Sequence, residues 1–137
     1  MRILQIHAHR VQEHAELAPL LAAPAPTDGF LWLSVTREEL QAELPALQAA
    51  LHTLGGSALV DLHVSDLLNE QLPSHYDYTS QYDVMVFRRL SATQCDTTEV
   101  PSLTGLAPPR RADPPVLRRI DTSPVGFAVF DQVLLSV

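Results

Sequence analysis

The sequence predicts an α/β or α+β domain, with a mixed β-sheet flanked by helices and closed by a C-terminal β-hairpin. Strand-like apolar segments stand on both sides of a helical region that is rich in alanine and leucine. The chain has 137 residues and 46% hydrophobic content, enough for a domain that buries roughly 70% of its unfolded surface. Residues 1–137 are therefore expected to form a single domain without internal repeats.

The N-terminal part is predicted to contain two strands separated by a helix. Residues 2–10 alternate between apolar and polar side chains, which is typical of a strand with one buried face. Residues 11–23 favour a helix by composition, although Pro19 counts against it. The apolar run at 30–35 comes after an Asp-Gly turn signal and predicts the second strand.

A capped helix is predicted directly after this strand. Thr36 and Glu39 match a capping box, in which each side chain accepts a hydrogen bond from the other residue's backbone N–H. The helix from Arg37 is expected to break or restart at Pro45, because proline removes one helical hydrogen bond and clashes with the preceding turn. The next stretch, 46–54, is expected to end at a glycine pair that suits a left-handed cap.

A third helix is predicted at 58–69, followed by a turn and a strand. The candidate core contacts of this helix are Leu59, Leu62 and Leu67. Pro73 ends the helical region, and an aromatic-rich turn leads into a strand at 82–90.

The C-terminal part is predicted to be a long loop followed by a hairpin. Residues 91–115 are rich in proline, threonine and serine, which favours extended and exposed backbone. Two apolar segments, 124–130 and 133–137, are separated by only two residues, Asp131 and Gln132. That spacing indicates a β-hairpin.

The amino-acid composition argues against several classes of function and site. The net charge is −7 and the chain has no lysine, so its surface is expected to repel a phosphate backbone, which argues against nucleic-acid binding. A single cysteine, Cys95, excludes an internal disulfide and a cysteine-rich zinc site. Apolar runs are too short for a membrane helix, which needs about 18 residues, so a soluble chain is expected.

Enzymatic motifs are absent from the sequence. It contains no glycine-rich phosphate-binding loop, no Gly-x-Ser-x-Gly nucleophile elbow and no His-Glu-x-x-His zinc motif. Cys95 lies in a polar loop, and a nucleophile there would need a nearby base and a lowered pKa, so this role receives little support. We therefore expect a protein that is not an enzyme.

The six histidines give only weak metal signals. His7 and His9 lie two apart on the predicted first strand, so both would project from one face, and His14 or Glu13 could supply a third zinc ligand. The alternative is an ordinary polar strand face. Three further histidines lie on different predicted elements and form no local ligand set: His52, His63 and His75.

The order of the elements resembles a known family. The tryptophan-containing strand at 31–36 leads into a capped helix, and the Ser-Asp-Leu-Leu-Asn stretch at 65–69 ends a later helix. An aromatic-rich turn and the strand at 83–90 follow, and the hairpin at 125–137 closes the domain. In this order the chain resembles the N-terminal cytoplasmic domain of the CorA family of magnesium transporters, which includes the ZntB-type zinc transporters.

The resemblance implies a regulatory domain of a divalent cation transporter for Mg²⁺ and Co²⁺ or for Zn²⁺. It implies a homo-oligomer, a pentamer in the family, on the cytoplasmic side of the cell inner membrane. A stalk helix and two transmembrane helices follow this domain in the family, the first of them ending in Gly-Met-Asn, and none of these parts lies in the present sequence. The alternative is a stand-alone binding module of similar fold.

The resemblance assigns one residue of this chain to a metal site. In the family, an aspartate at the position of Asp66 takes part in a regulatory divalent-cation site between neighbouring subunits, with Mg²⁺ as the regulatory ion. Magnesium is usually held by one or two carboxylates and several waters, so the chemistry is reasonable. The preceding family acid is Ser65 here, and the family's Arg-Pro-Lys corresponds to residues 72–74, Leu-Pro-Ser. The alternative is that Asp66 is a solvated helix acid.

Overall fold

The computed structural model describes residues 1–22, 28–90 and 122–137, and in them a seven-stranded mixed sheet carries three helices. The strands are β1 (Arg2–His7), β2 (Arg10–His14), β3 (Gly29–Ser34), β4 (His75–Tyr78), β5 (Asp83–Leu90), β6 (Thr122–Val129) and β7 (Val133–Ser136). The helices are α1 (Ala18–Ala22), α2 (Arg37–Gly55) and α3 (Asp61–Leu68). The predicted α+β class, with a mixed sheet and a C-terminal strand pair, is confirmed.

The strands lie in the order β2-β1-β3-β7-β6-β5-β4. Each neighbouring pair is antiparallel except β3 and β7, which are parallel. The last strand of the chain is therefore in the middle of the sheet, where Val133 and Leu135 are almost fully buried. This central strand joins the N-terminal strands to the C-terminal ones, and β2 and β4 form the two edges.

The first strand is shorter than the sequence predicted. β1 ends at His7, the chain turns at Ala8 and His9, and β2 pairs back onto β1 along its whole length. Ala8 takes a positive φ of 49°, which allows this tight turn. The helix predicted at 11–23 is wrong over 11–14, because these residues form β2, and the helix that does form covers Ala18–Ala22.

The capping box of α2 is confirmed. The Thr36 hydroxyl accepts a hydrogen bond from the Glu39 backbone N–H at 3.2 Å, and the Glu39 carboxylate accepts one from the Thr36 N–H at 2.8 Å. The break expected near Pro45 is present, because α2 consists of two helical parts that meet at a kink. The kink lies at Glu43, where φ is −109° and ψ is 16°, two residues before the proline.

The end of α2 fits the glycine cap expected from the sequence. Gly56 takes a left-handed conformation with φ of 79°, and its N–H donates to the His52 carbonyl at 3.1 Å. Gly55 packs directly on Phe130, since an added Cβ would lie 2.6 Å from the phenylalanine ring. The glycine pair therefore ends the helix and brings it against Phe130, which directly follows β6.

The third helix is shorter than predicted and begins only at Asp61. Leu59 and Leu67 are buried as predicted, whereas Leu62 is 63% exposed, so its assignment to the core is wrong. The buried face of α3 consists of His63, Val64 and Leu67 instead.

The turn predicted before the long strand contains an additional strand. β4 occupies residues 75–78 and pairs antiparallel with β5, which confirms the strand predicted at 82–90. The predicted C-terminal hairpin is also confirmed, with β6 and β7 antiparallel across Asp131 and Gln132. The long loop predicted at 91–115, with Cys95, lies outside the described residues.

One face of the sheet carries the helices and the main hydrophobic core. Leu40, Leu51 and Leu67 from the helices pack with inward side chains of β3, β5, β6 and β7. Gly126 in β6 permits this close contact, because an added Cβ would lie 2.4 Å from Leu67 Cδ2. The close approach fixes α3 over the strands, and so fixes the polar side chains between α3 and β4.

Candidate functional site

Two histidine–aspartate pairs lie between α3 and the edge strand β4. His63 and Asp66 are three residues apart on α3, a spacing that places them on one side of a helix. His75 and Asp77 alternate on β4 and project to the helix side of the sheet, because they lie opposite the buried residues of β5. The pairing is crossed, with His63 near Asp77 and His75 near Asp66.

The first pair belongs to a line of directed hydrogen bonds. The Tyr82 hydroxyl oxygen accepts from the Val60 backbone N–H at 2.9 Å, and lies 2.9 Å from His63 Nδ1. A tyrosine hydroxyl has one proton to donate, and here it goes to Nδ1. His63 Nε2 then carries the ring proton and donates to Asp77 Oδ2 at 3.2 Å. The only buried histidine in the described residues is thus fully hydrogen-bonded.

These contacts shift two pKa values in opposite directions. The hydrogen bond from His63, followed by the Tyr78 backbone N–H, lowers the pKa of the Asp77 carboxyl below its ordinary value. Burial raises the pKa of the Tyr82 hydroxyl, and the negative charge of Asp77 adds to the effect. The hydroxyl therefore stays protonated at neutral pH and remains a donor to His63.

Asp66 takes part in the second pair. Its carboxylate Oδ2 lies 3.6 Å from His75 Nε2, which is too long for a hydrogen bond. The Asp66 side chain is 19% exposed and that of His75 is 29% exposed. Asp66 is therefore a partly buried acid that faces an imidazole across the α3–β4 junction, rather than a fully solvated helix acid.

The predicted histidine ligand set at the N-terminus is not assembled. His7 ends β1 and its Nδ1 bonds to the Asp28 carbonyl, whereas His9 lies in the following turn. His14 Nε2 bonds to the Gln5 side chain at 3.0 Å, and Glu13 bonds to Arg2 at 3.0 Å. In the part of the chain that the structure describes, no group of three or more histidine, cysteine, aspartate or glutamate side chains is placed to hold a metal ion.

Arg88 has a structural role next to the site. Its guanidinium donates to the carbonyls of Glu70 and Leu72 at 3.1 and 3.0 Å, and to both the hydroxyl and the carbonyl of Thr122 at 2.8 and 2.9 Å. These bonds fix the connection between α3 and β4 onto β5 and β6. The arginine therefore holds the site's framework and is not a free cation for binding.

A shallow pocket of about 310 Å³ lies between the start of α2 and β6. Arg37 and Arg89 line it together with Glu38 and Glu70, so charges of both signs meet there. Arg37 donates to the Pro124 carbonyl at 2.7 Å, while its buried Nε has no partner among the described residues. Because two carboxylates accompany the two arginines, the pocket favours neither an anion nor a cation.

Sequence reasoning missed His75 and Asp77 as neighbours of Asp66. The signal that finds them is the His-Tyr-Asp-Tyr alternation at 75–78, where polar and aromatic side chains alternate with period two. This alternation indicates a strand with the two polar residues on one face. The neighbouring tyrosines Tyr76 and Tyr78 stack on the opposite face, with ring centroids 6.3 Å apart.

The surroundings of Asp66 fit Mg²⁺ only in part. The carboxylate is the hard oxygen ligand that magnesium prefers, and its partial exposure leaves room for coordinating waters. The neighbouring donor is a nitrogen, which magnesium rarely uses.

We compared the sequence with protein families and with curated proteins. A scan against models of protein families finds no match to this sequence, and a search among curated proteins finds none either. Across residues 1–22, 28–90 and 122–137, no helix is both long enough and apolar enough to cross a membrane.

Proposed function

We propose that this chain is the cytoplasmic regulatory domain of a divalent cation transporter of the CorA type, with Asp66 as a ligand of the regulatory ion. The observation that carries the proposal is the position of Asp66: it is partly buried, at the C-terminal end of α3, with its carboxylate pointing to the sheet edge. The order of strand, capped helix, α3 and closing hairpin supports the same family.

Regulation in this proposal works by mass action. An ion that binds only the assembled form of several copies stabilises that form, by about 2.7 kcal/mol per site at 100 times its dissociation constant. A drop in Mg²⁺ concentration then loosens the assembly. Asp66 supplies one carboxylate and a neighbouring copy completes the site.

Self-association measured by size exclusion with light scattering tests the proposal. Added MgCl₂ is expected to shift the wild-type chain to a larger mass, and Asp66→Asn is expected to abolish the shift. Asp61→Asn is the matched control, because it removes the same charge from an exposed position in the first turn of the same helix. An unchanged mass in Mg²⁺ would contradict the proposal. Cation binding by a monomer would favour a stand-alone binding module.

A further inference from the structure

His75 is held in the orientation that a metal ligand requires. Its Nδ1 lies 3.4 Å from the Pro73 carbonyl oxygen. A carbonyl can only accept, so Nδ1 carries the proton, and in the neutral ring Nε2 presents its lone pair. Metal-binding histidines characteristically donate their other ring N–H to such an acceptor, which fixes both tautomer and ring orientation.

The lone pair of His75 Nε2 points toward an atom that cannot donate to it. Nε2 faces Asp66 Oδ2 across 3.6 Å. With a protonated ring the two side chains form an ion pair, and with a neutral ring the two acceptor atoms can bind one cation between them. The neighbouring acid on the same strand face, Asp77, is already occupied by His63 and by the Tyr78 backbone N–H.

The separation of the two atoms indicates which cations fit. Bonds of about 2.0–2.1 Å to zinc, at a tetrahedral angle, place a nitrogen and an oxygen ligand about 3.3 Å apart. Adjacent ligands of an octahedral magnesium ion lie about 2.9 Å apart. The observed 3.6 Å is closer to the tetrahedral value. Imidazole also suits zinc and similar transition metals, whereas magnesium prefers oxygen.

We infer that Asp66 and His75 form a nitrogen–oxygen donor pair for a borderline divalent cation such as Zn²⁺, which joins α3 to β4. The inference rests on the proposed function, because it uses the same Asp66 carboxylate and names the second donor and the class of ion. Water completes the coordination, since both side chains are partly exposed. A site with two protein donors exchanges its ion, unlike a structural zinc site with four.

Calorimetric titration of the full chain with ZnCl₂ and, separately, with MgCl₂ tests the inference. His75→Gln is expected to weaken Zn²⁺ binding about tenfold or more, and Asp66→Asn to do the same. His52→Gln, an exposed histidine on α2, is the matched control and should leave the affinity within about twofold. The affinity for Mg²⁺ should fall in Asp66→Asn and stay unchanged in His75→Gln.

Substoichiometric Co²⁺ locates the ion by paramagnetic broadening of the histidine ring resonances. His75 is expected to broaden first. If His7 or His9 broadens first, or if His75→Gln leaves Zn²⁺ affinity unchanged, the inference is overturned, and a Mg²⁺-driven self-association that needs Asp66 would still support the proposed function. If Zn²⁺ binding needs both Asp66 and His75 while Mg²⁺ leaves the mass of the chain unchanged, the donor pair stands and the proposed function fails.

Discussion

At the scale of single residues, the junction between α3 and β4 is held by polar contacts that differ in function. His63 is 2% exposed and is satisfied on both ring nitrogens, by the Tyr82 hydroxyl and the Asp77 carboxylate. Asp66 and His75 face each other without a hydrogen bond. The first pair therefore stabilises the fold, whereas the second is the pair that we infer to bind a cation.

Asp77 makes stability depend on pH in a defined direction. Its folded-state pKa is lowered, so its contribution is fully present above the unfolded value of about 3.9 and is lost as the pH falls through the folded value. We expect Asp77→Asn to unfold more easily than wild type at pH 6, and the difference to disappear in strong acid. Urea unfolding at a series of pH values measures this.

The same comparison of aspartate and asparagine at position 77, made in a His63→Gln protein, tests the cause of this pH dependence. In His63→Gln, the hydrogen bond that contributes most to the lowered pKa of Asp77 is removed, and weaker causes such as the Tyr78 N–H remain. The pH-dependent difference between aspartate and asparagine at position 77 should therefore shrink. An equally large difference in both backgrounds would show that His63 does not lower the pKa of this carboxyl.

At the scale of elements, the β1–β2 hairpin contains a local strain. Ala8 has φ of 49°, a left-handed conformation that costs a residue with a Cβ about 1–2 kcal/mol. Ala8→Gly is expected to raise the free energy of unfolding by about 1 kcal/mol, since glycine adopts this conformation without the steric cost. Chemical denaturation measures the change. Ala15→Gly, exposed and without positive φ, is the matched control and should not stabilise.

The elements that the sequence predicted correctly have strong local signals. The capping box at Thr36, the left-handed glycine cap and the two-residue spacing of the last hairpin all depend on neighbours in sequence. β2 and β4 are both short edge strands: β2 was missed because it has little apolar patterning, and β4 because its alternation covers only four residues. The helix predicted at 11–23 was wrong over its first residues. Their composition favours a helix, but hydrogen bonding to β1 makes them a strand.

At the scale of the whole molecule, the sheet depends on contacts between the two ends of the chain. β3 and β7 pair in parallel, and the Trp32 indole donates to the Ser136 hydroxyl across 104 positions at 2.9 Å. No short-range sequence pattern predicts which distant strands pair. The sequence therefore predicted a mixed sheet but not the order of its strands. The same reason applies to the site: Asp66 was predicted from a resemblance, while His75 became its neighbour only through the packing of α3 on β6.

The coding sequence beyond codon 137 tests the proposal that this chain is the cytoplasmic domain of a CorA-type transporter. We expect it to encode a long helical segment and then two apolar segments of about 20 residues each, the first ending in Gly-Met-Asn. A stop codon directly after Val137, with no apolar segment encoded, would contradict it.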